Sequence, residues 1–203
     1  MSRLPVATLA LSAVVMLVAL VPGLQRLLVF DRELVAAGQL WRIATGSLVH
    51  FSTSHLLFDL TTVAAAAAML ERSGQRVFPV IAAAAIAVGA AVLLFAPELQ
   101  RYGGLSGIAY TVVVLCALEQ LHASGLTRAV AIGVLLLTVA KLTWDLQSGA
   151  LLFVSESDGT LVPVPLAHLA GALVGAAAYV QSRLASLVNA RASASAAGPG
   201  SRS

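Results

Sequence analysis

The chain has 203 residues, 59% of them hydrophobic and only 10% charged, with a mean hydropathy of +0.94 and a formal charge of +3. Soluble domains carry roughly a quarter charged residues, so this composition cannot cover a water-facing surface and excludes a soluble globular protein. It describes an all-α chain that crosses a membrane several times, whose small positive charge sits at loop ends and gives no argument for nucleic acid.

A spanning helix needs about 20 apolar residues, range roughly 17–25, and the charge-poor intervals predict six. Arg3 to Arg26 encloses 22 uncharged residues, placing helix 1 at about 4–24. Its apolar run is long and Val21-Pro22-Gly23-Leu24 is a poor cleavage site, so it reads as an uncleaved helix rather than a signal peptide. The half-apolar outer loop that follows, QRLLVFDRELVAAGQLWRIATG, is expected to lie in the interface with Trp41 at headgroup depth. Helix 2 is predicted at about 48–70, in an interval interrupted only by Asp59, and helix 3 at about 77–96, stopped by Pro97. Helix 4 follows at about 105–121 and helix 5 at about 127–144, interrupted only by Lys141; helix 6 lies at about 163–186. Lys141 is expected to snorkel outward beside Trp144, and Asp145 falls in the outer loop with Glu156 and Asp158.

Residues 1–188 therefore form one six-helix membrane domain, and NARASASAAGPGSRS, 189–203, reads as a disordered cytoplasmic tail. With the N-terminus inside, cytoplasmic segments hold Arg3, Arg72, Arg76, Arg128, Arg183, Arg191 and Arg202, against Arg26, Arg32, Arg42 and Arg101 outside. Seven against four favours both termini in the cytoplasm. The single Cys116 lies inside a span, which excludes a disulfide framework and a cysteine metal site.

Ionisable groups at membrane depth are expensive and mark function by default. His50, His55 and Asp59 stand near the outer end of helix 2, and His168 lies five residues past Pro163 in helix 6, roughly 8 Å below the boundary at 1.5 Å per residue. Ser106 opens helix 4. Helices 2, 4 and 6 share an outer end, so these groups can converge. His55 and Asp59 are spaced i, i+4, as are Ser106 and Tyr110, each pair on one face. Gly171 and Gly175 form a small-residue stripe on the face that carries His168, and Gly104 and Gly107 flank Ser106; small residues let helices approach closely. That approach would bring Ser106 and His168 together as a nucleophile and its base. Helix 4 is also short, so with Glu119 anchoring its inner end, its outer end would sink below the surface and admit water. His122 is expected to be solvated in a cytoplasmic loop.

These stretches resemble the rhomboid intramembrane serine proteases, in order and over nearly the whole chain. G-L-S-G at 104–107 matches the family's GxSG, and A-H-x-x-G-x-x-x-G at 167–175 its helix 6 motif. H-F-S-T-S-H-L-L-F-D at 50–59 is similar to the family's His, four residues, His, three residues, Asn, with Asp59 in the place of the asparagine. Trp41-Arg42, Leu70-Glu71 with Gly74, and Tyr110, the aromatic beside the catalytic histidine, match too. The resemblance implies a serine endopeptidase with no cofactor and no metal, acting in the lipid bilayer on transmembrane or membrane-anchored proteins near the outer face. It implies Ser106 as nucleophile and His168 as base, with His55, His50, Asp59, Gly104 and Tyr110 as oxyanion and site support. No third carboxylate is needed, and none is evident near His168. An ionised Asp59 would repel an oxyanion, so it either donates as a neutral acid or turns to His55 or His50 and fixes a tautomer. The compact six-helix form is similar to the rhombosortases, which process C-terminal Gly-Gly sorting tails, and implies a bacterial cell membrane.

Three other readings compete. An inactive rhomboid-like protein that binds transmembrane helices would be expected to have lost Ser106 or His168, yet both remain. A transporter should show internal repeats or matching broken helices, and none is found. A metal site from His50, His55, Asp59 and His168 would leave the GxSG motif unexplained.

Overall fold

Helix α1 (Val6–Leu20) stops short of its expected end because Pro22 begins a second helix, α2 (Pro22–Leu28), and the two axes meet at 108°. Proline at the first helical position costs no hydrogen bond, since that N–H is unpaired anyway. The computed structural model describes residues 4–148 and 164–196; the expectations for Arg3, Pro163, Glu156, Asp158 and Arg202 lie outside them. The segment expected as an interfacial loop folds into short elements: β1 (Phe30–Asp31), α3 (Arg32–Ala36), α4 (Trp41–Thr45) and a 3-10 turn (Gly46–Leu48).

Two arginines hold this segment down. Arg32 donates to the carbonyls of Val92 (3.0 Å), Leu93 (2.9 Å) and Ala96 (2.7 Å), at the end of α6 (Val77–Phe95). A helix end leaves its last carbonyls unpaired, so the guanidinium binds the loop where acceptors are waiting. Arg42, buried, donates to the carbonyls of Arg26 (3.0 Å) and Val29 (2.7 Å), while Trp41 beside it is half exposed. Strand β1 pairs antiparallel with β2 (Arg101–Tyr102), Phe30 opposite Tyr102, which ties the loop to the turn leading to Ser106.

The remaining long helices are α5 (Thr53–Arg72), α7 (Ser106–Gln120), α8 (Gly125–Ser148) and α9 (Pro165–Ala196). With α1 and α6 they supply the six long helices in the expected order. Among the described residues α5, α6 and α8 are long and apolar enough to cross a membrane, and the bent α1–α2 pair passes as a fourth. Helix α9 runs to Ala196, into the segment whose composition suggested disorder; residues 197–203 lie outside the described ones.

Helix α7 is the centre of the bundle. It packs most extensively against α9 and also against α5, α8 and α6, so most of its residues are buried. Its 15 residues are fewer than a bilayer needs; at 1.5 Å per residue they cover about 22 Å of a ~30 Å core. Glu119 fixes its C-terminal end, accepting from Gln75 (3.0 Å), Ser182 (3.0 Å) and Arg183 (2.7 Å). His122 is exposed, as expected, and also bonds the Tyr179 hydroxyl at 2.8 Å.

Candidate active site

The turn before α7 is built by Gly104. Its φ of +146° lies where residues with a Cβ are strained, and an added Cβ would sit 2.8 Å from the His55 ring. Ser106 follows as the first residue of α7. The first amides of a helix have no carbonyl to bond, so the Ser106 backbone N–H has no partner within the helix and stands at the same residue as the hydroxyl.

Glycine decides what meets Ser106. A Cβ on Gly171 would run into the carbonyl of Gly107, and one on Gly175 into that of Thr111. Thr111 Oγ1 donates to the Gly171 carbonyl at 2.8 Å, a helix-to-helix bond possible only at this separation. The close approach carries His168 in: its ring stacks on Tyr110, centroids 4.6 Å apart and planes 12° from parallel. Ser106 and His168 thus stand on adjoining faces of α7 and α9. Among the described residues no hydrogen bond joins the Ser106 hydroxyl to the His168 ring; the hydroxyl neighbours the Tyr102 phenol, which donates to the Gly104 carbonyl at 3.2 Å. Catalytic hydrogen bonds are often long or misaligned until substrate binds. Burial, and then the Asp59 charge, push the Tyr102 phenol well above its ordinary range, so it stays a donor.

One expectation is overturned here. Helix α8 does not stop before Asp145 but runs on to Ser148, placing Asp145 one turn beyond Lys141 inside the bundle. Lys141 does not snorkel outward: its Nζ lies 3.0 and 2.8 Å from the two Asp145 oxygens. Asp145 Oδ2 also lies 3.1 Å from His168 Nδ1, so a third carboxylate does stand beside the histidine. A buried charge in lipid must be paired, and this ion pair supplies the reason the helix extends. The signal was present as the i, i+4 spacing of a lysine and an aspartate, which reading Asp145 as loop discarded. Tyr102 was missed because nothing in R-Y-G-G signals that its strand pairs with Phe30.

His50, His55 and Asp59 do converge, in a cluster of their own. Ser52 caps α5 by accepting from the His55 N–H at 3.3 Å, so His50 lies before the helix rather than in it. Asp59 Oδ2 lies 3.1 Å from His55 Nε2 and 3.3 Å from His50 Nε2, and the Leu105 N–H donates to that same His50 nitrogen at 3.2 Å. The cluster therefore ties α5 to the residue preceding Ser106, and Asp59 takes the histidine-facing orientation. Among the described residues no three histidine, cysteine, aspartate or glutamate side chains are placed to hold a metal ion.

This geometry separates charge from hydrogen bonding at residue 59. The His50 Nε2 that accepts from Leu105 carries a lone pair, and an asparagine could offer the two rings either an N–H or a carbonyl. Asp59→Asn is expected to keep kcat within about tenfold, about 1.4 kcal/mol of barrier. Asp59→Ala takes from His55 Nε2 its Asp59 partner, while His50 Nε2 keeps the Leu105 N–H, and should cost about 10²-fold or more, on the scale of one lost oxyanion donor. Steady-state kinetics of both variants checks this; a hundredfold loss in folded Asp59→Asn would mean that charge is required.

A family model, the Rhomboid domain, matches residues 37–183, which take in every candidate site residue. No curated protein matches the chain.

Proposed function

Because the chain belongs to the rhomboid family, we propose that it is an intramembrane serine protease that cuts transmembrane or membrane-anchored proteins near the outer face of the bilayer through Ser106 and His168. The observation that carries this reading is the glycine contact of α7 with α9, which seats His168 on Tyr110 one turn from Ser106. His168 Nε2 takes the Ser106 proton while Oγ attacks the substrate carbonyl, and the Ser106 N–H stabilises the oxyanion, a donor worth roughly 3–4 kcal/mol. The imidazolium returns that proton to the leaving amine, and water then hydrolyses the acyl ester. A polar cavity of about 480 Å³, lined by His50, Ser52, Ser54 and Gln25, opens beside His50, which accepts from the N–H of Leu105, the residue before Ser106.

Substrate access has support on the opposite side. An apolar groove of about 570 Å³ opens between α5 and α8, lined by Phe58, Thr62, Leu137 and Trp144 and reaching Tyr110. A second, of about 510 Å³, continues it inward from Thr62 and Val134. The lining of the first is mostly apolar, with Lys141 and Thr138 among it, so an apolar substrate segment can lie against it from lipid. The arginine bias of the loops supports an outward-facing site with both termini in the cytoplasm.

One labelling experiment tests the chemistry and the orientation together. A membrane-impermeant fluorophosphonate added to intact cells is expected to modify wild type at Ser106 and to leave Ser106→Ala untouched. Modification only after permeabilisation would invert the orientation, and no modification at all would defeat the protease reading.

A further inference from the structure

The geometry points to Asp145 as a positioning residue that orients His168 toward Ser106, with Lys141 as the counter-ion of its carboxylate. The inference rests on the protease reading above and adds to it a residue on a third helix. Asp145 is fully buried, at 1% exposure, and His168 nearly so, at 8%. Oδ2 lies 3.1 Å from His168 Nδ1 and 2.8 Å from Lys141 Nζ. An ionised carboxylate only accepts hydrogen bonds, so its partner on the ring must be an Nδ1–H. A neutral imidazole protonated at Nδ1 bears its lone pair on Nε2, which is the state a base for the Ser106 hydroxyl needs.

Each neighbour limits the ring further. Tyr110 stacks on one face at 4.6 Å between centroids, so the plane is set by α7 and the in-plane rotation by Asp145 of α8. Lys141, one turn before Asp145 on the same helix, neutralises the carboxylate, so a charged acceptor can persist at this depth without an unpaired ion in lipid. When His168 takes the Ser106 proton, the resulting imidazolium faces a carboxylate already held in place. A carboxylate in this position orients and stabilises the ring without itself taking the proton.

The tautomer is the direct test. In ¹⁵N-histidine-labelled protein in detergent micelles, His168, assigned by its loss in His168→Gln, is expected to be protonated at Nδ1, with a strongly downfield N–H resonance. In the same preparation Asp145→Asn is expected to slow acylation of Ser106 by a fluorophosphonate at least 100-fold; serine-protease triads that lose this charge lose about 10⁴-fold. Lys141→Met leaves the carboxylate on the ring but strips its counter-ion, so it should slow acylation measurably but less than Asp145→Asn does. A wild-type His168 protonated at Nε2 overturns the proposal even if Asp145→Asn fails to fold. So does Asp145→Asn reacting at the wild-type rate, or Lys141→Met losing as much rate and stability as Asp145→Asn, the mark of an ion pair that only holds α8. In those cases Ser106 still labels and the protease reading stands; a wild type that does not label at all defeats that reading and this inference with it.

Discussion

Alanine at Ser106, or at His168, is expected to abolish cleavage of a transmembrane reporter that the wild type cuts, a loss on the order of 10⁴-fold or more in kcat. The double variant should be no worse than either single one. Residues that act as one unit are non-additive, because once the hydroxyl cannot be deprotonated the base has nothing left to do. Both changes leave the helix contact intact, since that contact is made by Gly107, Thr111, Gly171 and Gly175. Tm should therefore move little, and a parallel melting curve separates lost chemistry from lost fold. Substantial cleavage by either single variant would sink the Ser106–His168 assignment and favour a protein that binds helices without cutting them.

Gly171→Leu should damage fold and activity together. A single added Cβ already meets the Gly107 carbonyl, and that atom belongs to helix backbone, which cannot rotate out of the way as a side chain can. Overpacking a tight contact costs typically 1–3 kcal/mol, and more where nothing yields, which corresponds to a fall in Tm of roughly 2–12 °C for a chain of this length. The helices must separate, His168 moves with α9, and a misplacement of about 1 Å is enough for a 10²-fold loss of rate. Gly133→Leu on α8 is the control: nothing lies within 4 Å of its Cβ, so leucine there should keep both Tm and kcat near wild type. If the two variants behave alike, the Gly171 stripe is not a packing device.

Part of the site could be read without coordinates because helical periodicity is local. The i, i+4 spacing of His55 and Asp59 placed them on one face, where Asp59 Oδ2 and His55 Nε2 lie 3.1 Å apart. Gly171 and Gly175 announced a close contact because small residues at that spacing serve little else in lipid. Asp145 went the other way. Counting apolar residues ends the helix before it and leaves a charged residue at the edge of the count in the loop, although its partners on α8 and α9 make it part of the core. The first outer loop failed for a similar reason: its two-residue strand and two five-residue helices are too short to carry a periodic signal, and Arg32 and Arg42 stabilise them by reaching carbonyls elsewhere in the chain.

What the amino-acid order determined by itself was the membrane character of the chain, the order of its long helices and the polar residues set within them. Those follow from the polarity of each residue against lipid and from spacing along one helix, which need no partner to be defined. Only the tertiary structure decided which carboxylate serves which histidine. Asp59 and Asp145 are both aspartates embedded in apolar helices, and their roles divide because α5 delivers one to His50 and His55 while α8 delivers the other to His168. A hydrogen bond depends on separations of about 3 Å between atoms, and in a bundle those separations are set by how helices far apart in sequence pack against one another.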